Sequence, residues 1–161
     1  MAQPPRTPNI SAQRAAMKKL EFLVGEWSGE ASVLRSAGQF EDLAQTESAR
    51  FKLDGLLLEI EGVGRTRTDC QSALQALGLI SFDDEAGTYW MRAFNDGRWL
   101  ETEVKLADKE DSISWGFELG EFKTSTVLRI NKKGEWTEFG ELTIGDRPPM
   151  KMMELRVCRV S

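Results

Sequence analysis

From residue 27 onward, apolar and polar side chains alternate along most of the sequence. In "ISWGFEL", residues 113–119, apolar residues recur at every second position, which is the period of a β-strand with one buried face. Short polar or Gly-rich breaks such as "FNDGR", "NKKGEW" and "IGDRPP" separate these stretches and are typical of turns. The pattern predicts ten strands, at residues 27–34, 39–53, 56–61, 73–82, 88–94, 98–106, 112–119, 122–131, 135–143 and 150–160.

Strands that follow one another so closely predict an antiparallel meander. Asp54-Gly55 is expected to form a two-residue hairpin turn, because both positions of that turn need a positive φ. Closure into a barrel removes the two free edges that an open sheet of this size would have. We therefore expect an all-β fold, a roughly ten-stranded antiparallel meander β-barrel. An interior of that width is not filled by side chains alone, so it should contain a cavity.

A short helix is predicted before the first strand. Ser11 can cap it, and Ala16, Leu20 and Leu23 then form one buried stripe that ends near Gly25. Residues 1–10, with three prolines, are expected to be a flexible N-terminal tail. Residues 11–161 are then a single β-barrel domain.

The charge and composition of the chain limit the kinds of molecule that it is expected to bind. The 161 residues carry a formal net charge of −5 and no basic stripe, which argues against binding to nucleic acid. No apolar run is long enough to span a membrane, and the N-terminus lacks the apolar segment of a signal peptide. We expect a cytoplasmic protein in which Cys70 and Cys158 are free thiols.

The sequence contains no histidine. This excludes Ser-His-Asp and Cys-His catalytic triads, His-ligated zinc and His-ligated haem. No cofactor, metal site or catalytic residue is assigned from the sequence, because no motif for one is present.

The segment "KKLEFLVGEWSGEA", residues 18–31, resembles the opening of the nitrobindin-like calycins, in which a short helix leads through Phe-Leu-x-Gly-x-Trp-x-Gly into the first strand. The order of elements over about residues 15–160 is similar to that of lipocalin-like barrels, most of all to uncharacterised bacterial proteins of this fold. The resemblance implies that Phe22 and Leu23 plug one end of the barrel and that Trp27 starts the first strand against the core. Haem-binding nitrobindins use a histidine of the last strand, which "MKMMELRVCRV", residues 150–160, lacks.

Arg92 lies among aromatic residues in "YWMRAFNDGRWLETEV", residues 89–104, and its direction depends on the hairpin loop. A three-residue loop, Asn95-Asp96-Gly97, places Arg92 opposite Leu100 on the more apolar face, inside the barrel. A two-residue loop, Asp96-Gly97, places it opposite Glu101 as a cross-strand ion pair. The first register is favoured because it separates apolar from charged residues better. An inward arginine then holds either an internal carboxylate or an anionic group of a ligand, as in the fatty-acid carriers among the calycins.

Other residues are candidates for the wall of the cavity, although packing of the core explains them equally simply. They combine aromatic rings, hydroxyl groups, an adaptable thioether and a carboxylate. The predicted ligand-binding residues, with Arg92, are Trp90, Thr102, Trp115, Thr126, Met152 and Glu154. The candidate internal carboxylates are Glu59, Glu118, Glu138 and Glu154.

Three functions fit these observations. The first is a binding protein that holds a small, mostly apolar or amphipathic ligand in the barrel. The second is an isomerase or hydrolase that uses a buried carboxylate as general base and Arg92 as electrophile. The third is an interaction scaffold with a sealed interior and an apolar outer patch or a homodimer interface.

Overall fold

The computed structural model describes residues 4–160, so residues 1–3 of the predicted tail and Ser161 lie outside the described part of the chain. One α-helix and a 3₁₀ turn precede eleven strands. The elements are α1 (Ile10–Lys18), the 3₁₀ turn (Glu21–Leu23), β1 (Gly25–Ser36), β2 (Gln39–Lys52), β3 (Leu57–Thr66), β4 (Ser72–Asp83), β5 (Thr88–Asn95), β6 (Arg98–Leu106), β7 (Ser112–Trp115), β8 (Glu118–Leu119), β9 (Phe122–Ile130), β10 (Trp136–Ile144) and β11 (Met150–Arg159).

The strands form one closed antiparallel sheet. Each strand from β1 to β7 pairs with the next, β7 pairs with β9, β9 with β10, β10 with β11, and β11 returns to β1. The two-residue strand β8 pairs only with β9 and lies outside this ring. The predicted ten-stranded antiparallel barrel with a short N-terminal helix is therefore confirmed.

The helix closes one end of the barrel. Its N-cap is Asn9, whose side chain accepts a hydrogen bond from the Ala12 N–H, so the prediction of Ser11 as cap is wrong by two residues. Met17, Leu20 and Leu23 are fully buried, which extends the predicted apolar stripe by one methionine. Phe22 packs against the same core. This arrangement is the plug that the sequence resemblance implied.

Two connections differ from their predictions. Lys52 pairs with Leu57, so the turn around Asp54-Gly55 has four residues instead of two, and Leu53 also adopts a positive φ. Strand β3 continues to Thr66, five residues beyond the predicted end of the strand at residue 61. The predicted strand 112–119 is interrupted after Trp115 and gives two short strands.

The β5–β6 hairpin has the register that the sequence analysis did not favour. Asn95 pairs with Arg98 across a two-residue turn in which Asp96 and Gly97 have φ values of 49° and 74°. Arg92 is consequently opposite Glu101, and its Nε lies 2.7 Å from a carboxylate oxygen of Glu101. The prediction that Arg92 points into the barrel is wrong. With the shorter loop, the side chains of β5 exchange faces, so that those expected inside the barrel lie outside it. The inward and outward faces of β6 are as predicted.

The segment before the helix is held by an acidic turn. Arg6 and the backbone N–H of Asn9 both contact the Asp84 carboxylate, as does the side-chain amide of Gln13. The Asn9 N–H is the main cause of the lowered pKa of Asp84. These contacts attach the described part of the N-terminal segment to the turn between β4 and β5.

Two further sequence predictions can be compared with the structure. Cys70 and Cys158 are both unpaired and exposed, as predicted. Within residues 4–160, no helix combines the length and apolar character that crossing a bilayer requires.

Candidate functional site

The interior of the barrel is sealed at the helix end. Side chains from the helix and from most strands are at most 2 % exposed there. They include Leu20, Leu23, Leu58, Ile80, Val104, Ile113 and Val157. A ligand therefore has no room at this end and could enter only from the opposite one.

Two tryptophans form a floor above this plug. The rings of Trp27 and Trp136 meet edge to face with centroids 5.4 Å apart, and the Trp27 indole N–H donates to the Leu23 carbonyl. The Arg159 guanidinium stacks 4.0 Å from the Trp27 ring and donates to the carbonyls of Phe22 and Val24. Trp27 thus joins the plug, the first strand and the last strand.

A polar cluster lies next to this floor, on the inner face of β2. Glu47 is directly opposite Trp27 in the register, and Gln45 is the next inward residue. The Gln45 amide donates a hydrogen bond of 2.7 Å to Glu47. Both residues are buried, at 2 % and 6 % exposure.

The neighbouring strand makes room for these two side chains. Gly64 is opposite Gln45 and Gly62 is opposite Glu47. A Cβ at Gly62 would lie 2.8 and 2.9 Å from the two carboxyl oxygens of Glu47, and one at Gly64 would lie 2.7 Å from Gln45 Oε1. The side chains of Gln45 and Glu47 therefore lie directly over these two glycines, and a larger residue at either position would collide with them.

Glu138 adds a second carboxyl group from β10. It accepts a hydrogen bond of 3.0 Å from the Trp136 indole N–H. Since Glu47 is the register partner of Trp27 and Glu138 is bonded to Trp136, both carboxyl groups adjoin the same pair of tryptophans. We call Gln45, Glu47 and Glu138 the acidic cluster.

Burial dominates the electrostatics of the acidic cluster. It raises the pKa of Glu138 to about 7, against the opposing effect of the Trp136 hydrogen bond. Burial also raises the pKa of Glu47 well above its usual range, and the charge of Glu138 raises it further. Both carboxyl groups therefore keep their proton to a higher pH than an exposed glutamate does, and in the protonated form they can donate as well as accept hydrogen bonds.

The half of the interior towards the open end contains both buried and half-buried side chains. Leu43, Thr124 and Thr126 are buried there, whereas several other inward-facing side chains are half-buried. The half-buried ones include Leu74, Ala76, Ala93, Leu100, Trp115, Leu142 and Met153. From the helix end to the open end, the inner side chains thus change from an apolar plug, through the acidic cluster, to a mouth with half-buried apolar residues. We call this change in side chains the grading of the interior.

Four of the seven predicted ligand-binding residues lie on the interior side. Trp115 is opposite Thr126, and the Thr102 hydroxyl donates to the Gly116 carbonyl just beyond Trp115. A Cβ added at Gly140 would lie 3.2 Å from the Met152 methyl carbon and 3.4 Å from the Thr126 hydroxyl oxygen. Both side chains are therefore close to the inner side of this glycine. The structure thus groups Thr126, Trp115 and Met152 on one wall.

The other three lie on the outer wall. Arg92 pairs with Glu101 there, and Trp90 shares this face, since the alternate residues Tyr89 and Met91 point inward. Glu154 is exposed and pairs with Lys151 at 3.4 Å. A molecule inside the barrel would be out of reach of these three side chains.

One of the four candidate internal carboxylates is internal. Glu138 faces inward, whereas Glu59, Glu118 and Glu154 each pair with a lysine. Glu47 was missed, although the sequence contains a signal for it. It shares the parity of Leu43, Ala49 and Phe51 along β2, so it falls on the apolar face of that strand.

Arg35, unlike Arg92, lies at the mouth of the barrel. It extends from the end of β1 past β2 and β3, donating to Glu41 at 2.6 Å and to the Ala73 carbonyl on β4 at 2.9 Å. It therefore bridges three strands at the open end.

Two shallow concavities lie against the outer wall. One of about 390 Å³ runs along β9, β10 and β11, and one of about 660 Å³ lies across β3 to β6. The second is lined by the outward-facing apolar residues Val63, Leu77, Phe94 and Trp99, and Trp99 is 68 % exposed. This apolar outer patch is the feature that an interaction scaffold would use.

Among residues 4–160, no group of three or more Cys, Asp or Glu side chains is arranged to hold a metal ion. The interior presents carboxyl groups, an amide, hydroxyls and aromatic rings.

The fold and interior define a closed antiparallel β-barrel with an acidic cluster at its depth. No protein-family model and no curated protein matches the chain. Among solved structures, the crystal structure of Rv2717c from M. tuberculosis is similar, with a TM-score of 0.67 at 12 % sequence identity. The alignment covers 91 % of this chain and 98 % of that one. The two proteins share the fold, and the resemblance to nitrobindin-like calycins stays a prediction.

Proposed function

We propose that the protein binds a small, mostly apolar or amphipathic molecule inside its barrel, as a lipocalin-like carrier does. The observation that carries the proposal is the grading of the interior. A barrel that served only as a scaffold would gain most by filling its interior with apolar side chains. Here several apolar side chains near the mouth are half-buried, and two carboxyl groups lie below them inside the barrel.

The cost of the acidic cluster supports the same proposal. Burying a carboxyl group without a charged partner destabilises a fold unless hydrogen bonds compensate. Glu47 and Glu138 each receive one hydrogen bond from a protein side chain. A ligand that supplied further hydrogen bonds would turn a destabilising cluster into a recognition site.

The proposed ligand-binding residues follow from this geometry. Thr102, Trp115, Thr126 and Met152 are kept from the sequence analysis, and Gln45, Glu47 and Glu138 are added. The cytoplasmic location and the homodimer stay predictions.

The proposal can be tested with a neutral fluorescent probe, N-phenyl-naphthylamine, whose emission rises in an apolar site. The Ala93→Trp variant would fill the interior near the mouth, because Ala93 lies opposite Gly78 and Leu100 on the inner face. The matched control is Ala44→Trp, which adds the same ring to an exposed outer position on β2. We expect the interior variant to lower probe affinity at least about tenfold and the control to leave it unchanged. Equal effects of the two variants would contradict the proposal.

A second candidate function is catalysis of proton transfer. A desolvated carboxyl group with a pKa of about 7 has the property required of a general acid or base near neutral pH. Arg92 cannot be its electrophile, because it lies on the outer wall. A benzisoxazole, whose ring opens on loss of one proton, would report such a base. Turnover that is lost in Glu138→Gln and kept in Glu103→Gln, an exposed outer control, would support this candidate.

A further inference from the structure

We propose that the acidic cluster of Gln45, Glu47 and Glu138 binds a protonated amine, so that the ligand is an amphipathic amine with its apolar body towards the mouth. The inference rests on the proposed function, since it names the class of molecule that the same interior takes.

Neither carboxyl group of the cluster has a cationic partner in the described chain. The ion pairs of residues 4–160 include neither Glu47 nor Glu138. The nearest cation to the tryptophan floor, Arg159, is occupied by the Trp27 ring and two backbone carbonyls. A cation brought by a ligand would therefore be the first cationic partner of these two carboxyl groups, and it would favour their ionised form.

Gln45 provides an independent sign that a donor is missing. It is 2 % exposed, and its Oε1 has no hydrogen-bond partner among the described residues. A buried acceptor without a donor costs about 1–3 kcal/mol. The nitrogen of the same amide donates to Glu47, and the unsatisfied oxygen faces Gly64 on the inner side of β3, on the same side of the barrel as the two carboxyl groups.

The number and kind of free groups favour an ammonium group. The cluster offers acceptors on two carboxyl groups and one amide, and an ammonium group supplies up to three donors with one positive charge. An anionic head group would instead place another negative charge beside two carboxyl groups, which costs free energy in a buried site. The sequence predicts an inward Arg92 that holds either an internal carboxylate or an anionic ligand group, whereas Arg92 lies on the outer wall and the interior presents carboxyl groups.

The rest of the interior fits the apolar part of such a molecule. Towards the mouth, the inner face presents apolar side chains from several strands, among them Leu74, Leu100, Trp115 and Met153. An alkyl or aromatic group in contact with them would leave water, while its amine reached the floor.

The experiment compares three ligands of equal chain length, octylamine, octanol and octanoate, by displacement of the bound probe near neutral pH. We expect octylamine to bind at least about tenfold more tightly than octanol, and octanoate to bind most weakly. If octanol or octanoate binds as tightly as octylamine, the inference is overturned while the proposed function stands. If the probe and all three ligands fail to bind, the proposed function fails as well.

Variants then locate the amine. We expect Glu138→Gln and Glu47→Gln each to weaken octylamine at least about tenfold and to weaken octanol much less. Glu103→Gln is the control for general attraction of a cation to a chain of net charge −5, since it removes an exposed outer charge. An equal loss in Glu103→Gln would contradict the site. The ratio between the wild-type affinities for amine and alcohol tests the inference even if one interior variant does not fold.

Discussion

Trp136 donates its indole N–H to Glu138 at 3.0 Å, inside a barrel where the same ring is fully buried against Trp27. The hydrogen bond stabilises the ionised carboxylate, but the loss of hydration on burial outweighs it, and the pKa of Glu138 remains at about 7. A carboxyl group held in this state is sensitive to pH and to any molecule that reaches it.

The stability of the fold should fall as the pH rises from about 4.5 to neutrality. In the unfolded chain Glu138 has its ordinary pKa of 4.5, so between that value and about 7 the folded protein holds a proton that unfolding releases. The free energy of unfolding therefore decreases from pH 4.5 upward and levels off above pH 7, by about 3 kcal/mol from this group. Glu47, whose pKa is also raised, contributes with the same sign.

Urea unfolding at a series of pH values checks this prediction. Glu138→Gln should flatten the dependence and be more stable than the wild type at alkaline pH. Glu103→Gln, with its exposed carboxyl group removed, should keep the wild-type slope. An unchanged slope in Glu138→Gln would show that the group titrates normally in the folded state.

Gly29 should be the glycine least tolerant of substitution. A Cβ there would lie 2.2 Å from the Arg156 carbonyl oxygen and 2.8 Å from the Val157 Cα, both in the backbone of the paired strand. We expect Gly29→Ala to cost about 3 kcal/mol or to prevent folding, because overpacking against backbone cannot be relieved by a rotamer change. Gly78→Ala is the control, since its nearest neighbour is the flexible Met91 thioether at 3.3 Å. Thermal unfolding of the two variants should differ clearly, and equal midpoints would contradict the prediction.

Removal of the Arg92–Glu101 pair should have little effect. The two side chains are 67 % and 43 % exposed, and exposed ion pairs contribute about 0–1 kcal/mol. Arg92→Ala should leave probe binding unchanged, and a double-mutant cycle with Glu101→Ala should give a small coupling free energy. A tenfold loss of probe binding in Arg92→Ala would contradict this prediction and show that Arg92 takes part in binding.

Asp84 should control the order of the chain before the helix. It accepts hydrogen bonds from the Asn9 N–H and the Gln13 amide, and it contacts Arg6. Asp84→Ala should speed amide hydrogen exchange at Asn9 and across the first helical turn. Glu85→Ala is the control, because Glu85 is 76 % exposed and its ion-pair contact with Arg6 is 3.8 Å long. Equal exchange in the two variants would mean that Asp84 does not hold this segment.

The sequence predicts the barrel because its strands alternate strongly and its turns are marked by Gly, Asp and Pro. The orientation of β5 could not be predicted in the same way. Trp90 and Phe94 made the outer face of this strand look like the buried one, whereas they contribute to the outer wall. A loop one residue shorter than expected was enough to reverse the direction of Arg92.

The acidic cluster depended on relations between strands that a single sequence does not display. Glu47 could be assigned to the inner face from the parity of β2, but its proximity to Glu138 arises only because β11 closes on β1 and brings β10 two strands away from β1. The role of Gly62 and Gly64 likewise follows from the register between β2 and β3.

The most direct test of interior binding is an NMR spectrum of the five tryptophan indole N–H groups, assigned by single Trp→Phe variants, with and without N-phenyl-naphthylamine. Trp27, Trp115 and Trp136 lie on the interior side, and Trp90 and Trp99 on the outer wall. The account predicts that the Trp115 and Trp136 signals shift on binding while the Trp99 signal does not move. A shift confined to Trp90 and Trp99, or no shift at all, would contradict it.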